Sequence, residues 1–123
     1  MLDLIREMLS TPGTPEGPYE RMSAAFGHAM VGVLLAAVVL RRLPAWPWRA
    51  AAAATAIYAL WEAAQMIWFG SSLADSAIDL GAALCGALIA ASLWARRLPP
   101  ILPIALALLA LGRAMPGDKS RNR

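Results

Sequence analysis

Eighteen consecutive residues, Ser23–Leu40 (SAAFGHAMVGVLLAAVVL), carry no formal charge, and two arginines follow at once. A run of that length meets the ~17–25 residues that a helix needs to cross the hydrocarbon core of a bilayer. Similar runs recur at about Ala50–Phe69 and Leu73–Ala95, the latter again closed by two arginines. With 123 residues there is room for one domain, and 59% apolar against 15% charged residues is more than so short a soluble chain can hide. The expected fold class is all-α: a polytopic membrane bundle of four helical segments, preceded by an amphipathic interfacial helix.

That first helix is read in MLDLIREMLS, where Leu2, Ile5, Met8 and Leu9 share a stripe that excludes Asp3, Arg6 and Glu7. TPGTPEGP then breaks the chain with prolines and glycines, so residues 1–22 form an interfacial helix and a loop. Residues 23–113 form the transmembrane domain, and residues 114–123 a polar, basic tail. The fourth segment, 98–112, is short and proline-rich, and a helix of that length rises only about 21 Å. It either crosses a thinned bilayer or is re-entrant, and hydropathy favours crossing. No cleavable signal peptide is read, because the residues before Ala24 hold more acid than base.

The net charge of +3 and pI near 9.8 do not point to nucleic acid. The basic residues flank apolar runs instead of forming a basic face with interleaved aromatics. Arg41, Arg42, Arg49, Arg96 and Arg97 fall on one side of the expected topology, which makes that side cytoplasmic and the N-terminus external. Trp46 and Trp48, with MIWF at 66–69, read as interfacial aromatics. The lone Cys85 lies among Ala, Gly and Leu and is read as a small packing residue.

Against that background, polar residues in ALWEAAQMIWFGSSLADSAIDL stand out. Glu62, Gln65, Asp75 and Asp79, together with His28, fall within roughly the outer 10 Å of their segments at ~1.5 Å per residue, and Tyr58 lies one turn deeper than Glu62. Helical phase places Tyr58, Glu62 and Gln65 on one stripe, Asp75 and Asp79 on another, and His28 above Gly32, whose lack of a side chain permits close helix approach. Three helices would then turn these stripes toward one pocket. Bland roles exist for each: a cap or interfacial carboxylate for Asp75, an interhelical hydrogen bond for Asp79, a satisfied structural histidine for His28, support for Gln65 and Tyr58. An ionisable group inside a membrane is nonetheless a functional-site hypothesis by default, and Glu62, the deepest of the set, is the one least suited to a purely structural role. No cofactor is implied, though Glu62 and Asp79 must share a proton, pair with His28 or hold a cation.

The segments WEAAQ and DSAIDLGAALCG, with a short loop between them, resemble the VanZ-like superfamily of small membrane proteins. Glu62, Gln65, Asp75, Asp79 and Gly86 match its motif positions, and His28 matches a histidine on the preceding helix; the resemblance covers roughly residues 19–92. It departs in the loop FGSSLA, which lacks the arginine common in the family, and at Ala82, where a glycine is usual. The family includes proteins linked to glycopeptide resistance. The resemblance implies a site that takes an envelope or lipid-linked ligand and names no reaction.

Two other functions fit the residues. A phage holin-like, lesion-forming protein would share the small size, the Ala- and Gly-rich spans and the basic tail. An accessory subunit of a larger membrane complex, or a homo-oligomer, would use the small-residue faces AAAATA and GAALCGALIAA. Catalysis is not expected: there is no nucleophile with a base at readable spacing, no HExxH and no glycine-rich phosphate loop.

Overall fold

The computed structural model describes residues 17–114, and the expected amphipathic helix at the N-terminus and the tail beyond Ala114 lie outside them. The described residues form four helices and no strand: α1 (Pro18–Leu40), α2 (Pro47–Phe69), α3 (Leu73–Trp94) and α4 (Ile101–Ala114). Each of the first three starts on a local signal. At α1, Gly17 is the cap, Pro18 is the first helical residue, and the Glu20 carboxylate accepts the Gly17 N–H at 3.2 Å. Proline is favoured at that position because its missing N–H would have no helical partner there. The helix therefore begins ahead of Ser23, five residues earlier than hydropathy alone places it, because the apolar run and the capping signals are separate features. Pro47 advances the start of α2 in the same way. Gly70 ends α2 in the left-handed region (φ 72°), and Ser72 caps α3 by accepting the Asp75 N–H at 3.1 Å, so the α2–α3 connection is only three residues long.

Packing places α1 and α3 at the centre, parallel and in the most extensive contact, with α2 antiparallel against both on one side and α4 against both on the other. Small residues set that arrangement. A Cβ on Gly32 would run into the Ala83 carbonyl, and one on Gly86 into the Ala29 carbonyl, so the two backbones touch. Such approach gains dispersion and Cα–H···O contacts without any large side chain. The buried stripe of α1 is Ala25, Ala29, Gly32, Ala36 and Leu40, and that of α2 is Ala50, Ala51, Ala54, Tyr58 and Glu62. Cys85 lies in the core between α1, α3 and α4, as a packing residue should.

The large apolar side chains lie outside. Phe26, Met30, Leu34 and Val38 follow one i, i+4 stripe down the exposed side of α1; Ile57, Leu60, Ile67 and Trp68 share the exposed side of α2, and Leu102, Leu106 and Leu109 that of α4. A water-soluble bundle has the reverse layout, with leucine and isoleucine filling the core. By length and composition, α1 and α3 can each cross a membrane, with mean hydropathies of 2.1 and 1.8. The α2 helix has the length and lacks the apolarity, since it carries Tyr58, Glu62 and Gln65. The apolar α4 has 14 residues, about 21 Å of rise. It runs back along α1 and α3, with Gly112 against Met22 and Ala25. Over Ile101–Ala114 the segment is one continuous helix, antiparallel to α1 and α3.

Five arginines gather at one end. Arg41 and Arg42 follow α1, Arg49 is in the first turn of α2, and Arg96 and Arg97 follow α3. The Arg49 guanidinium lies over the Trp46 ring at 4.3 Å, and the Trp94 indole N–H donates to the Pro44 carbonyl at 3.0 Å. That last bond ties the α1–α2 connection to the end of α3.

Candidate functional site

The polar site is at the opposite end of the same three-helix interface. His28 comes from the second turn of α1's apolar run, Tyr58 and Glu62 from the buried stripe of α2, and Asp79 from the second turn of α3. Their convergence follows from topology. Helices α1 and α3 run parallel while α2 returns between their ends, so the early turns of α1 and α3 share a level with the late turns of α2.

The geometry is that of a linked group. His28 Nδ1 lies 2.6 Å from the Tyr58 hydroxyl, the rings meeting edge to face at 6.0 Å. His28 Nε2 lies 3.3 Å from Asp79 Oδ1. The second contact is close without being a hydrogen bond, because Asp79 Oδ1 is buried and finds no hydrogen-bond partner of suitable direction. Glu62 is 3% exposed, and neither of its carboxylate oxygens has a hydrogen-bond partner among the described residues. The Tyr58 hydroxyl sits beside that carboxylate, short of hydrogen-bond geometry. Donor atoms of His28, Glu62 and Asp79 all lie within 4.8 Å of one another. Buried polar groups in folded proteins are nearly always satisfied, and an unpaired buried carboxylate is among the costliest exceptions. A fold that holds one in place is withholding it from structural use.

Beside the group runs a groove of about 550 Å³ between α1 and α2. His28, Tyr58 and Gln65 supply its polar lining, Ser23 and Gly27 its narrow side, and Val31, Leu35, Ile57 and Trp61 its apolar wall. Val31, Ile57 and Trp61 are also exposed on the outer surface, so the groove opens sideways from the bundle.

All six residues singled out from the sequence thus lie in this region, in different roles. His28, Tyr58, Glu62 and Asp79 form the linked group. Gln65 lines the groove. Asp75 is half-buried in the first turn of α3, near enough for its charge to act on His28 and Asp79. The capping role open to Asp75 belongs instead to Ser72, whose hydroxyl takes the Asp75 N–H, because the helix begins one residue after that serine. Sequence reasoning passed over the groove wall, since apolar residues in an apolar run carry no signal of their own. Ser76 is buried, with its hydroxyl 3.3 Å from that of Ser71 across the α2–α3 turn. The pair closes the turn next to Asp75.

Comparison with protein-family models, with characterised proteins and with solved structures finds no match for this chain.

Proposed function

We propose that the chain is a multi-pass protein of the plasma membrane, VanZ-like, whose outer-leaflet pocket binds an envelope or lipid-linked ligand. The observation that carries the proposal is the convergence of His28, Tyr58, Glu62 and Asp79 beside a sideways-opening groove that His28 and Tyr58 line. It occurs in a bundle whose large apolar side chains face outward.

The bundle's layout supports the membrane reading. With α1 and α3 in the bilayer, α2 and α4 are carried in with them, since each packs along both. Their outward leucines, isoleucines and tryptophan then meet lipid instead of water. The short α4 is accommodated by local thinning. Five arginines at the end opposite the site support a cytoplasmic position for that end and an external one for the pocket. The polar residues are turned into the bundle, which favours a pocket within one chain over a pore between copies. A groove with a polar head and an apolar wall open to lipid suits an amphiphile whose headgroup reaches His28 and whose chain follows Val31 and Leu35.

The test is a double substitution, Glu62→Gln with Asp79→Asn, in the full chain. Lipids that co-purify in mild detergent are weighed by native mass spectrometry. Insertion is checked with a cysteine placed at Ser71 and a membrane-impermeant maleimide applied to intact cells. The expected result is external labelling of both proteins and a retained amphiphile only on the wild type. An identical lipid complement on both proteins would overturn the pocket, and labelling only after lysis would overturn its outward orientation.

A further inference from the structure

We infer that His28, Glu62 and Asp79 form a binding site for one divalent transition-metal cation of the zinc class, beside the α1–α2 groove. The inference rests on the pocket proposed above and names what that pocket holds.

Three independent features point to a metal. The first is the donor set: one imidazole nitrogen and two carboxylates from three different helices, with ligand atoms within 4.8 Å of one another. Mixed nitrogen and oxygen donors suit zinc and its neighbours, and three protein ligands leave a coordination position open. The second is Glu62, 3% exposed, unpartnered at both oxygens and directed at the other two donors. The third is the histidine. Its Nδ1 sits 2.6 Å from the Tyr58 hydroxyl, and in the tautomer that carries the proton on Nδ1 this nitrogen donates and the oxygen accepts. The Nε2 lone pair then faces Asp79 Oδ1 at 3.3 Å, where two electron-rich atoms repel unless a positive charge lies between them. Metal-bound histidines are commonly held by a hydrogen bond from the other ring nitrogen in this way. With zinc–ligand bonds of ~2.0–2.2 Å, two donors on one tetrahedral ion stand about 3.4 Å apart. The His28–Asp79 pair is already at that separation, and Glu62 closes on it by a small side-chain movement.

The charge balance fits as well. Two carboxylates and one divalent cation sum to zero, which is the cheapest state for a cluster in low dielectric. The cation also resolves a conflict in the pocket. Phosphate or carboxylate headgroups would be repelled by Glu62 and Asp79 alone, and the loop between α2 and α3 has no arginine to attract them. A cation beside the groove gives such a headgroup a positive partner at the open coordination position.

The experiment uses the untagged full chain, purified in mild detergent, stripped with chelator and titrated with Zn2+, with Mn2+ in parallel. Bound metal is counted by elemental analysis after desalting, and thermal stability is followed with and without Zn2+. The wild type is expected to hold one Zn2+ per chain and to gain thermal stability from it. Glu62→Gln and Asp79→Asn should each weaken binding at least tenfold. Metal-free Glu62→Gln should melt above the metal-free wild type, because it removes an unpaired buried charge, so its lost zinc affinity cannot be ascribed to misfolding. A wild type that takes up no more Zn2+ than Glu62→Gln overturns the site and leaves a shared proton to neutralise the carboxylates. Lipid retention on the same samples separates the two readings. Lipid held without zinc overturns this inference alone, and zinc held without lipid overturns the ligand assignment alone.

Discussion

The interface among α1, α2 and α3 has two halves made of the same helices and opposite chemistry. Toward the arginine end, Ala36, Ala51, Ala54, Ala87 and Ala91 close it with methyl groups. The only polar side chains there settle their own needs, as when the Thr55 hydroxyl donates to the Ala51 carbonyl at 2.9 Å and the Ser92 hydroxyl to the Leu88 carbonyl at 2.8 Å. Toward the other end, His28, Tyr58, Glu62 and Asp79 meet with two carboxylates unsatisfied. One half is complete by itself. The other holds buried carboxylate oxygens with no hydrogen-bond partner among the described residues. Stability and function are therefore separable along the bundle axis, the alanine half and the glycine contacts supplying the first so that the polar half can carry the second.

The largest expected effect lies at the boundary between the halves. Gly86 and Gly32 set the α1–α3 distance, and any side chain at Gly86 meets the Ala29 backbone, which cannot move aside as a flexible side chain would. Gly86→Leu should cost on the order of 3 kcal/mol, the upper end of overpacking penalties, and should pull the polar donors apart as well. Unfolding in a detergent titration measures the first effect and zinc or lipid retention the second. A Gly86→Leu protein with wild-type stability would show that the helices are held apart by other contacts and that the separation of roles fails at its boundary.

A smaller effect is expected inside the polar half. Tyr58→Phe removes the hydroxyl beside His28 Nδ1 and leaves the ring packing in place. The loss in stability should be about 1 kcal/mol, the ordinary worth of one hydrogen bond. Ligand or metal affinity should fall by about tenfold, since an orienting partner of this kind is worth ~10–100-fold. If affinity is unchanged, Tyr58 belongs with the structural half, and the site shrinks to His28, Glu62 and Asp79.

These halves were legible in the sequence to different degrees. The helices followed from long uncharged runs, and the convergence of His28, Glu62 and Asp79 followed from depth, because alternating helix direction puts early α1, late α2 and early α3 at one level. What depth cannot supply is rotation about each helix axis. The 58, 62, 65 phase turns Tyr58 inward, but alanine on every side of the early turns of α2 gives no such signal there. Tyr58 turns in with Ala50, Ala51, Ala54 and Glu62, while Ile57 and Trp61 turn out. The pairing of Gly32 with Ala83 and of Gly86 with Ala29 was hidden for the same reason. Small residues permit close approach at many registers, and the contact selected depends on all four helices at once.

The smallest effect sits at the far end of the alanine half. Arg96 adopts φ 53° just past α3, where the Arg97 N–H returns to the Ser92 carbonyl at 2.8 Å. Glycine is the usual residue at this left-handed position, and any other L-residue there costs about 1–2 kcal/mol. Arg96→Gly relieves that strain but frees the unfolded chain, so the net gain should be only about 0.5 kcal/mol. Holding arginine where glycine folds better is reasonable if the charge is needed at that end, as the positive-inside rule would require. The substitution should therefore raise thermal stability slightly and increase the fraction of chains inserted the wrong way round, read by maleimide labelling at a Ser71→Cys position. Should Arg96→Gly leave orientation untouched, the remaining four arginines suffice, and the strain at residue 96 has no topological reason. Should it lower stability instead, the guanidinium is holding the helix ends together, and the alanine half is less complete in itself than its packing implies.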